Sequence, residues 1–243
     1  ASPIYKDYVP DFSHPMVERL EANGGVVLAK SNTPEFGAGA STFNEVFGKT
    51  HNPWNTSLTA GGSSGGSAVA LATGQIWLAH GSDHGGSLRG PGSHNSVVGM
   101  RPSPGRVTRG TVDALFSASS VEGPMARDVP DLALFLDAIA GRDDRDPLSI
   151  HAPPRAYFET TMEALAKGAD AAPKRIGFTT TFGGKVPVAT AVKEQVAQAA
   201  RRFEGLGTVV EEAYPDLGEI DEVFQIIRAQ VFMINHELAI AEH

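Results

Sequence analysis

Apolar residues recur along the chain at spacings that predict helices alternating with short strands. Met16, Val17 and Leu20 share one helical face, and the Asn-Gly-Gly sequence at 23–25 ends that helix. The apolar run at 26–29 follows as a predicted buried strand. Because a helix followed by a buried strand is typical of α/β layering, we predict an α/β fold, with a mixed β-sheet core covered by helices on both faces.

Residues 31–125 are rich in glycine, serine, threonine and asparagine, and most of this region predicts loops. Two stretches within it stand out from the loops. The small residues at 65–73 suit a short packed helix, and the apolar residues at 75–80 suit a strand.

Residues 126–243 alternate helix and strand patterns more plainly. Asp128 is placed to cap a first helix, which carries Leu132, Leu136 and Ile139 on one face. The later patterns predict strands at 175–178 and 208–210, and helices over 189–206 and 219–240. The last helix keeps its apolar stripe to the end of the sequence. We therefore expect a partner surface for it, from a longer chain or from a second copy in a homo-oligomer.

Composition and charge exclude several classes of function. The 243 residues are 41% hydrophobic and 20% charged, which is ordinary for a soluble globular protein and excludes overall disorder. A net charge of −8 disfavours nucleic acid and anionic membranes as partners. Zero cysteines exclude a disulfide scaffold, thiol catalysis and thiolate metal sites, and the cytoplasm is the default location. We expect one domain over residues 1–243.

Two glycine-rich turns carry the candidate chemistry. The first reads Gly-Gly-Ser-Ser-Gly-Gly-Ser at 61–67, and the second reads Gly-Ser-Asp-His-Gly-Gly-Ser-Leu-Arg at 81–89. Glycines before a serine allow main-chain N–H groups to converge on one point, where they would stabilise the negative oxygen of an acyl transfer. The hydroxyl of Ser87 is then placed to attack a carbonyl carbon.

Such clusters are more often flexible turns or phosphate-binding loops than catalytic sites. The first turn lacks the lysine of a Walker loop, and Ser87 is outside a Gly-x-Ser-x-Gly motif because position 89 is arginine. His80, His84 and His94 with Asp83 suggest a metal site, but the Gly-Ser pair between the first two argues against ligands on one helix. We predict hydrogen-bonded histidines and no metal.

Several motifs in a fixed order, spread over nearly all of residues 1–150, resemble the amidase signature family. The matching stretches lie at 27–36, 52–54, 61–67, 81–89, 105–107, 123–127 and 146–147. After residue 150 the match is looser. The resemblance implies a serine hydrolase that cleaves the C–N bond of a small-molecule amide, and it implies no cofactor.

The resemblance also implies a role for each serine. Ser87 would be the nucleophile, and Ser63 would be a bridging serine held by a cis peptide after Gly62. Ser63 would relay a proton between Ser87 and a neutral lysine. The two hydroxyls must then meet at hydrogen-bonding distance.

Further residues of the two turns are given supporting roles by the same match. His84, Gly85 and Gly86 would line the oxyanion hole. The match also implies three residues that support the turn of the nucleophile: Asp83, Arg89 and Ser64.

No residue of the chain matches the catalytic lysine of the family, which belongs to a Lys-Asp motif upstream of Ser2-Pro3. Lys6 lies on the wrong side of that Ser-Pro, and Lys30 belongs to a family stretch that does not supply the base. We therefore expect the 243 residues alone to be nearly inactive. The alternative hypothesis is a truncated, weak or inactive relative that serves interaction or assembly. Unusual residues at 84, 90–92 and 94–96 also favour it.

Overall fold

The structure, a computed structural model, describes residues 1–110 and 114–242, with only the backbone of Leu238. The described residues fall into two compact units, 1–161 with 227–242, and 162–226. The expectation of one domain over 1–243 stays a prediction, and its residues 111–113 and 243 lie outside the described part.

Helices and strands alternate within residues 1–110 and 114–242, which confirms the α/β class. The helices are α1 (Pro15–Ala22), α2 (Gly65–Ala72), α3 (Arg89–Asn95), α4 (Val129–Ile139), α5 (Tyr157–Lys167), α6 (Thr190–Arg201) and α7 (Ile220–Glu242). The strands are β1 (Phe43–Asn44), β2 (Gly48–Lys49), β3 (Leu78–Asp83), β4 (Val98–Gly99), β5 (Val121–Ala126), β6 (Arg175–Phe178) and β7 (Val209–Glu212).

The first unit is built on a three-stranded antiparallel sheet in the order β3-β5-β4. Leu78 pairs with Ala126 at one end of β3, and Asp83 pairs with Val121 at the other. All six residues of β5 are buried, because helices cover both faces of this central strand. The sheet therefore ends, at Asp83, directly before the turn that carries Ser87.

Each face of the sheet has its own apolar core. On one face, Ala68 and Leu71 of α2 pack against Ala79, Leu88 and Met125. Full burial of a side chain such as Leu71 stabilises the fold by about 2 kcal/mol. This packing fixes α2, and with it the Ser63 turn, against the strand that leads to Ser87.

On the other face, α4 packs against α1. The core there consists of Met16, Val107, Phe135, Leu136, Ile139 and Ala140. The Asp128 side chain accepts a hydrogen bond of 2.9 Å from the N–H of Asp131, which confirms the predicted cap of α4.

The second unit, 162–226, contains the parallel pair β6 and β7, with Arg175 opposite Val209. Helix α6 connects the two strands, as a parallel crossover requires. The predicted strands at 175–178 and 208–210 and the predicted helix at 189–206 are confirmed to within a few residues.

The prediction of a buried strand at 26–29 was wrong. Val26, Val27 and Leu28 are 80%, 47% and 68% exposed. No strand of the described residues runs beside this segment, so its apolar side chains have no sheet in which to be buried.

Helix α7 confirms the predicted last helix, but its apolar stripe is largely exposed, as at Ile227 and Ile234. The backbone leaves helical geometry at His236, with φ −121° and ψ 15°. Among the helices of the described residues, none is both long enough and apolar enough to span a bilayer.

Replacing Gly66 with alanine is expected to destabilise the fold. A Cβ atom at this position of α2 would lie 2.4 Å from the amide nitrogen of Asn32 and 2.5 Å from its carbonyl oxygen. Because backbone cannot move aside cheaply, we expect a loss of about 1–3 kcal/mol in the free energy of unfolding. Urea unfolding measures it.

Gly205→Ala is the matched control, because a Cβ there meets no atom within 4 Å. Its free energy of unfolding should stay within about 1 kcal/mol of the parent value. Equal effects of the two substitutions would contradict the close packing of α2 on the Asn32 backbone.

Candidate active site

The turn that carries Ser87 connects the end of β3 to the start of α3. The side chain of Ser87 is half-buried, and Gly85 before it is exposed. Gly86 has φ +110°, a backbone conformation that residues with a side chain rarely adopt. Glycine is therefore required at this step of the turn, just before the serine.

The turn that carries Ser63 precedes α2 and contains the predicted cis peptide bond between Gly62 and Ser63, which is confirmed. Ser63 is buried, with 3% of its surface exposed. A Cβ at Gly62 would lie 2.7 Å from the carbonyl oxygen of Gly39, so the backbone of that loop packs directly on the cis bond.

The two turns touch each other through the main chain. The N–H of Ser64 donates a hydrogen bond of 3.2 Å to the carbonyl oxygen of Ser87. Within residues 1–110 and 114–242, no hydrogen bond joins the hydroxyls of Ser63 and Ser87. The structure thus brings together the two turns, 24 residues apart in sequence, and leaves the direct contact of the hydroxyls as a prediction.

Thr42, which the sequence did not predict as a functional residue, holds the first turn by hydrogen bonds. Its buried hydroxyl donates to the carbonyl oxygen of Gly61 at 2.9 Å and accepts from the N–H of Gly65 at 3.1 Å. One side chain thereby holds both ends of the turn around Ser63. A lone threonine in a polar loop gives no sequence signal for this role.

Asp83, the last residue of β3, organises the second turn. Its side chain is fully buried and accepts the N–H groups of Gly86 at 2.9 Å and Leu88 at 3.2 Å. Arg89 binds the same carboxylate with two hydrogen bonds, of 3.0 Å from Nε and 2.9 Å from Nη2. Arg101, which was not predicted, adds a contact of 3.2 Å to Oδ1 and a further one to the Asp83 carbonyl oxygen.

These contacts decide the ionisation of the aspartate. Burial acts to raise the pKa of Asp83, but the hydrogen bonds from Arg89, Gly86 and Leu88 outweigh it and lower the pKa from 3.8 to about 2. Asp83 is therefore a carboxylate at neutral pH. Its geometry supports the role predicted for it and for Arg89, which is to hold the turn of Ser87 in shape.

Ser64, the third predicted supporting residue, touches the same strand. Its side chain lies against Gly81, where a Cβ would come within 2.4 Å of the Ser64 Oγ, and the hydroxyl donates weakly to the carbonyl oxygen of Ser82 at 3.5 Å. Ser64 thus contacts both the strand before the Ser87 turn and, through its N–H, the turn itself.

The three predicted oxyanion donors are not equivalent. The N–H of Gly86 is already bonded to Asp83, so it cannot point to a substrate oxygen without losing that bond. The N–H groups of Gly85 and Ser87 make no hydrogen bond with the described residues, which leaves them open to a ligand. The ring of His84 is held by Ser120, with 2.8 Å between Nδ1 and Oγ.

The family is decided by comparison with known proteins. The family model described as Amidase matches residues 1–237.

The chain belongs to the amidase family.

Relatives and solved structures of the family extend this result. A glutamyl-tRNA(Gln) amidotransferase subunit of Lactiplantibacillus plantarum is 40% identical over 214 residues, which cover 87% of this chain and 42% of that protein. The peptide amidase from Stenotrophomonas maltophilia superposes with a TM-score of 0.77 at 32% identity, covering 95% of this chain and 47% of that one. A bacterial aryl acylamidase gives 0.77 at 30% identity, covering 94% and 48%. The chain thus spans less than half the length of these proteins.

The family's lysine base has no counterpart at the two serines in the described structure. No lysine of residues 1–110 and 114–242 makes a hydrogen bond with Ser63 or Ser87. Lys30 is exposed, and Lys6 lies 3.9 Å from Asp7 with most of its side chain in solvent. Both positions agree with the expectation that neither lysine is the base.

The histidines considered as metal ligands lie in three separate environments. His80 Nε2 lies 2.5 Å from Glu122 Oε2, and His94 Nδ1 lies 2.8 Å from the carbonyl oxygen of Gly90. In the described part of the chain, no three residues of the histidine, aspartate and glutamate types are grouped to hold a metal.

Glu122 is a buried carboxylate on the face of β5 opposite the one that packs against α2. Its burial acts to raise its pKa, but the charge and hydrogen bond of His80 outweigh it, so the pKa of Glu122 lies below its ordinary value. The Nε of Arg109 lies 3.5 Å from its other oxygen. This cluster holds a buried charge within the sheet and has no contact with either serine.

Proposed function

We propose that this chain carries the serine pair of an amide hydrolase, in which Ser87 is the nucleophile and Ser63 relays the proton. The observation that carries the proposal is the hydrogen bond from the Ser64 N–H to the Ser87 carbonyl oxygen, which places the cis Gly62–Ser63 turn against the Ser87 turn. Membership of the amidase family supports the same assignment.

In the first half-reaction, Ser87 Oγ attacks the carbonyl carbon of the amide. Its proton passes to Ser63 Oγ, while Ser63 gives its own proton to a neutral lysine. Collapse of the tetrahedral intermediate breaks the C–N bond. The proton returns from the lysine through Ser63 to the leaving nitrogen, and an amine or ammonia departs.

In the second half-reaction, water attacks the acyl group on Ser87 and loses its proton along the same relay. The bond to Ser87 Oγ breaks, the proton returns to that oxygen, and a carboxylic acid is released. The lysine has no match in residues 1–243, so we assign it to the complete amidase domain. Catalytic hydrogen bonds are often long before substrate binds, which accommodates the unbonded hydroxyls.

The oxyanion of the intermediate would be stabilised by the N–H groups of Gly85 and Ser87. Asp83, with Arg89 and Arg101 around it, would hold these donors in place by fixing the shape of the turn. Preorganised donors of this type stabilise the transition state because they need no rearrangement when the charge develops.

Small amides are the substrate class we propose. An aryl acylamidase and a peptide amidase are among the structural neighbours, so an aromatic amide and a peptide amide are the first compounds to test. Cytoplasmic location stays a prediction.

A second candidate function is that of one component in a larger assembly. Relatives at about 40% identity are named as subunits of a glutamyl-tRNA(Gln) amidotransferase, and α7 exposes Ile227 and Ile234. This candidate predicts that activity appears only when a partner protein is present.

The experiment uses the protein expressed from its complete gene. It is incubated with simple amides in water and with added hydroxylamine. The proposal expects ammonia or amine release in water, and hydroxamate formation with hydroxylamine, because an acyl-serine partitions between the two nucleophiles. Release without any hydroxamate from any substrate would count against the acyl-enzyme. Activity that requires a copurified partner would favour the second candidate.

A further inference from the structure

Helix α7 contacts two loops of its unit, one that contains Ala114 and one that contains Phe36. On one side, Asn235 Oδ1 accepts a hydrogen bond of 3.3 Å from the N–H of Ala114. On the other side, Phe232 and His236 pack against Phe36. All of these residues belong to the unit that contains Ser63 and Ser87. One stretch of helix therefore contacts two loops, of which one packs on the Ser63 turn through Gly39 and the other holds His84 of the Ser87 turn through Ser120.

Three rings form a cluster on this stretch. The ring centroids of Phe36 and His236 lie 4.7 Å apart, and those of Phe232 and His236 lie 4.3 Å apart. Phe36 and Phe232 meet nearly edge to face, at 6.4 Å and 88°. The helix leaves regular geometry at His236 itself. We name Phe36, Phe232 and His236 the aromatic cluster.

The aromatic cluster is joined to the Ser63 turn by a short piece of chain. Phe36 is three residues before Gly39, whose carbonyl oxygen packs on Gly62 of the cis bond. Three residues span at most about 11 Å. Phe36 also has φ +54°, which a bulky residue adopts only when its surroundings hold it there. Phe36 therefore has a constrained backbone and belongs to the loop that packs on the Ser63 turn.

The contact of α7 with Ala114 connects the helix to the Ser87 turn through the loop that ends at Ser120. Ala114 begins the described part of a loop that continues to Ser120, whose hydroxyl holds the His84 ring. Ala114 and Ser120 line the same cleft. Burial, and after it the charge of Arg228 on α7, lower the pKa of His84. The effect of the Arg228 charge on the pKa of His84 agrees with a position of α7 close to the turn of Ser87.

We propose that the aromatic cluster is a binding subsite for an aromatic group of the substrate, next to the serine pair. Phe232 is 39% exposed, so part of its ring is open to a ligand. An aromatic group of the substrate would add an edge-to-face or offset contact to rings already held in that geometry. The inference rests on the proposed amidase function and names the substrate class of the same site.

The test compares an aromatic amide, phenylacetamide, with an aliphatic one, butyramide, on the protein expressed from its complete gene. Phe232→Ala should lower kcat/KM for phenylacetamide about tenfold and change kcat/KM for butyramide by less than about twofold. Phe232→Leu keeps the apolar bulk and should show the same selective loss. Equal losses for both amides, or no loss, would overturn the proposal.

Met233→Ala is the matched control, since Met233 is adjacent on α7, is 65% exposed and lies outside the aromatic cluster. It should leave both kcat/KM values unchanged.

A second readout separates this inference from the proposed function. Binding of phenylacetate and butyrate to the parent protein and to Phe232→Leu is measured by calorimetry. The subsite predicts tighter binding of phenylacetate, lost in the variant, whether or not turnover is seen. If this binding pattern is seen without turnover, the proposed hydrolase function is contradicted and the proposed subsite is supported. Turnover without a preference for phenylacetate would support the hydrolase function and contradict the subsite.

Discussion

Amide hydrolysis by the complete protein is expected to fall at least about a thousandfold when Ser87 is replaced by alanine. The reason is chemical, since the variant has no oxygen at the position from which the carbonyl carbon is attacked. Its fold should persist, because Ser87 is half-buried and contributes to the contact between the turns through its main-chain oxygen. Steady-state rates with the preferred amide measure the effect.

Ser93→Ala is the control for this substitution. Ser93 lies on α3, six residues beyond Ser87, and its side chain is exposed. The rate of the control should stay close to that of the parent. Ser63→Ala should lose most of the activity as well, because the relay is cut. Turnover by Ser87→Ala at a rate near that of the parent would contradict the assignment of the nucleophile.

The largest loss of stability is expected from Asp83→Asn. The carboxylate is fully buried and is bonded to two guanidinium groups, of Arg89 and Arg101. An asparagine would present an amide nitrogen to these cations and leave their charges without a partner. Breaking a fully buried pair costs about 3–5 kcal/mol, but Arg89 is 55% exposed and water can solvate its charge, so we expect a loss of about 2–4 kcal/mol. Urea unfolding measures it.

Asp144→Asn is the matched control. Asp144 pairs with Arg142 at 3.1 Å, but its side chain is 88% exposed. Exposed pairs contribute about 1 kcal/mol or less, so this variant should unfold close to the parent. If both variants unfolded alike, Asp83 would not be the residue that organises the turn.

The free energy of unfolding should fall in acid, because Asp83 becomes protonated there. The pKa of Asp83 is lowered to about 2 in the folded state, so its contribution is fully present above the unfolded value near 3.8. That contribution is lost as the pH falls toward 2, and it amounts to about 2 kcal/mol. Asp143, whose pKa the hydrogen bond of Arg145 also lowers to about 2, adds its own loss. The difference between the parent and Asp83→Asn over this pH range isolates Asp83. A constant difference would contradict the shift.

The sequence predicted those helices that are determined by residues close together in the chain. The cap at Asp128 and the small residues of α2 act within a few positions, so the helices they start or build were predicted. The cis bond after Gly62 came from the resemblance of a whole motif, and its place in that motif was enough.

The prediction of a buried strand at 26–29 failed because burial depends on residues far apart in the chain. The segment 26–29 has the composition of a buried strand, yet burial needs a neighbouring strand, which its own residues cannot specify. The resemblance assigned the N–H of Gly86 to the oxyanion hole, which stays a prediction, and in the structure this N–H donates to Asp83. Nothing in the turn's sequence decides between these two acceptors.

Two supporting residues gave no sequence signal. Thr42 lies 21 residues before Ser63 and holds that turn through hydrogen bonds that only the folded chain reveals. Arg101 lies 18 residues after Asp83 and reaches it across the sheet end. Single polar residues in loops are too common for such roles to be predicted from one sequence.

We propose that the two glycine-rich turns form one site with Ser87 as its nucleophile. A fluorophosphonate, which forms a covalent bond only with an activated serine, tests it most directly. Treatment of the complete protein followed by tandem mass spectrometry should find the phosphonate on Ser87 and no label in Ser87→Ala. A label on another serine of the chain, or undiminished labelling of Ser87→Ala, would show that Ser87 is not the nucleophile.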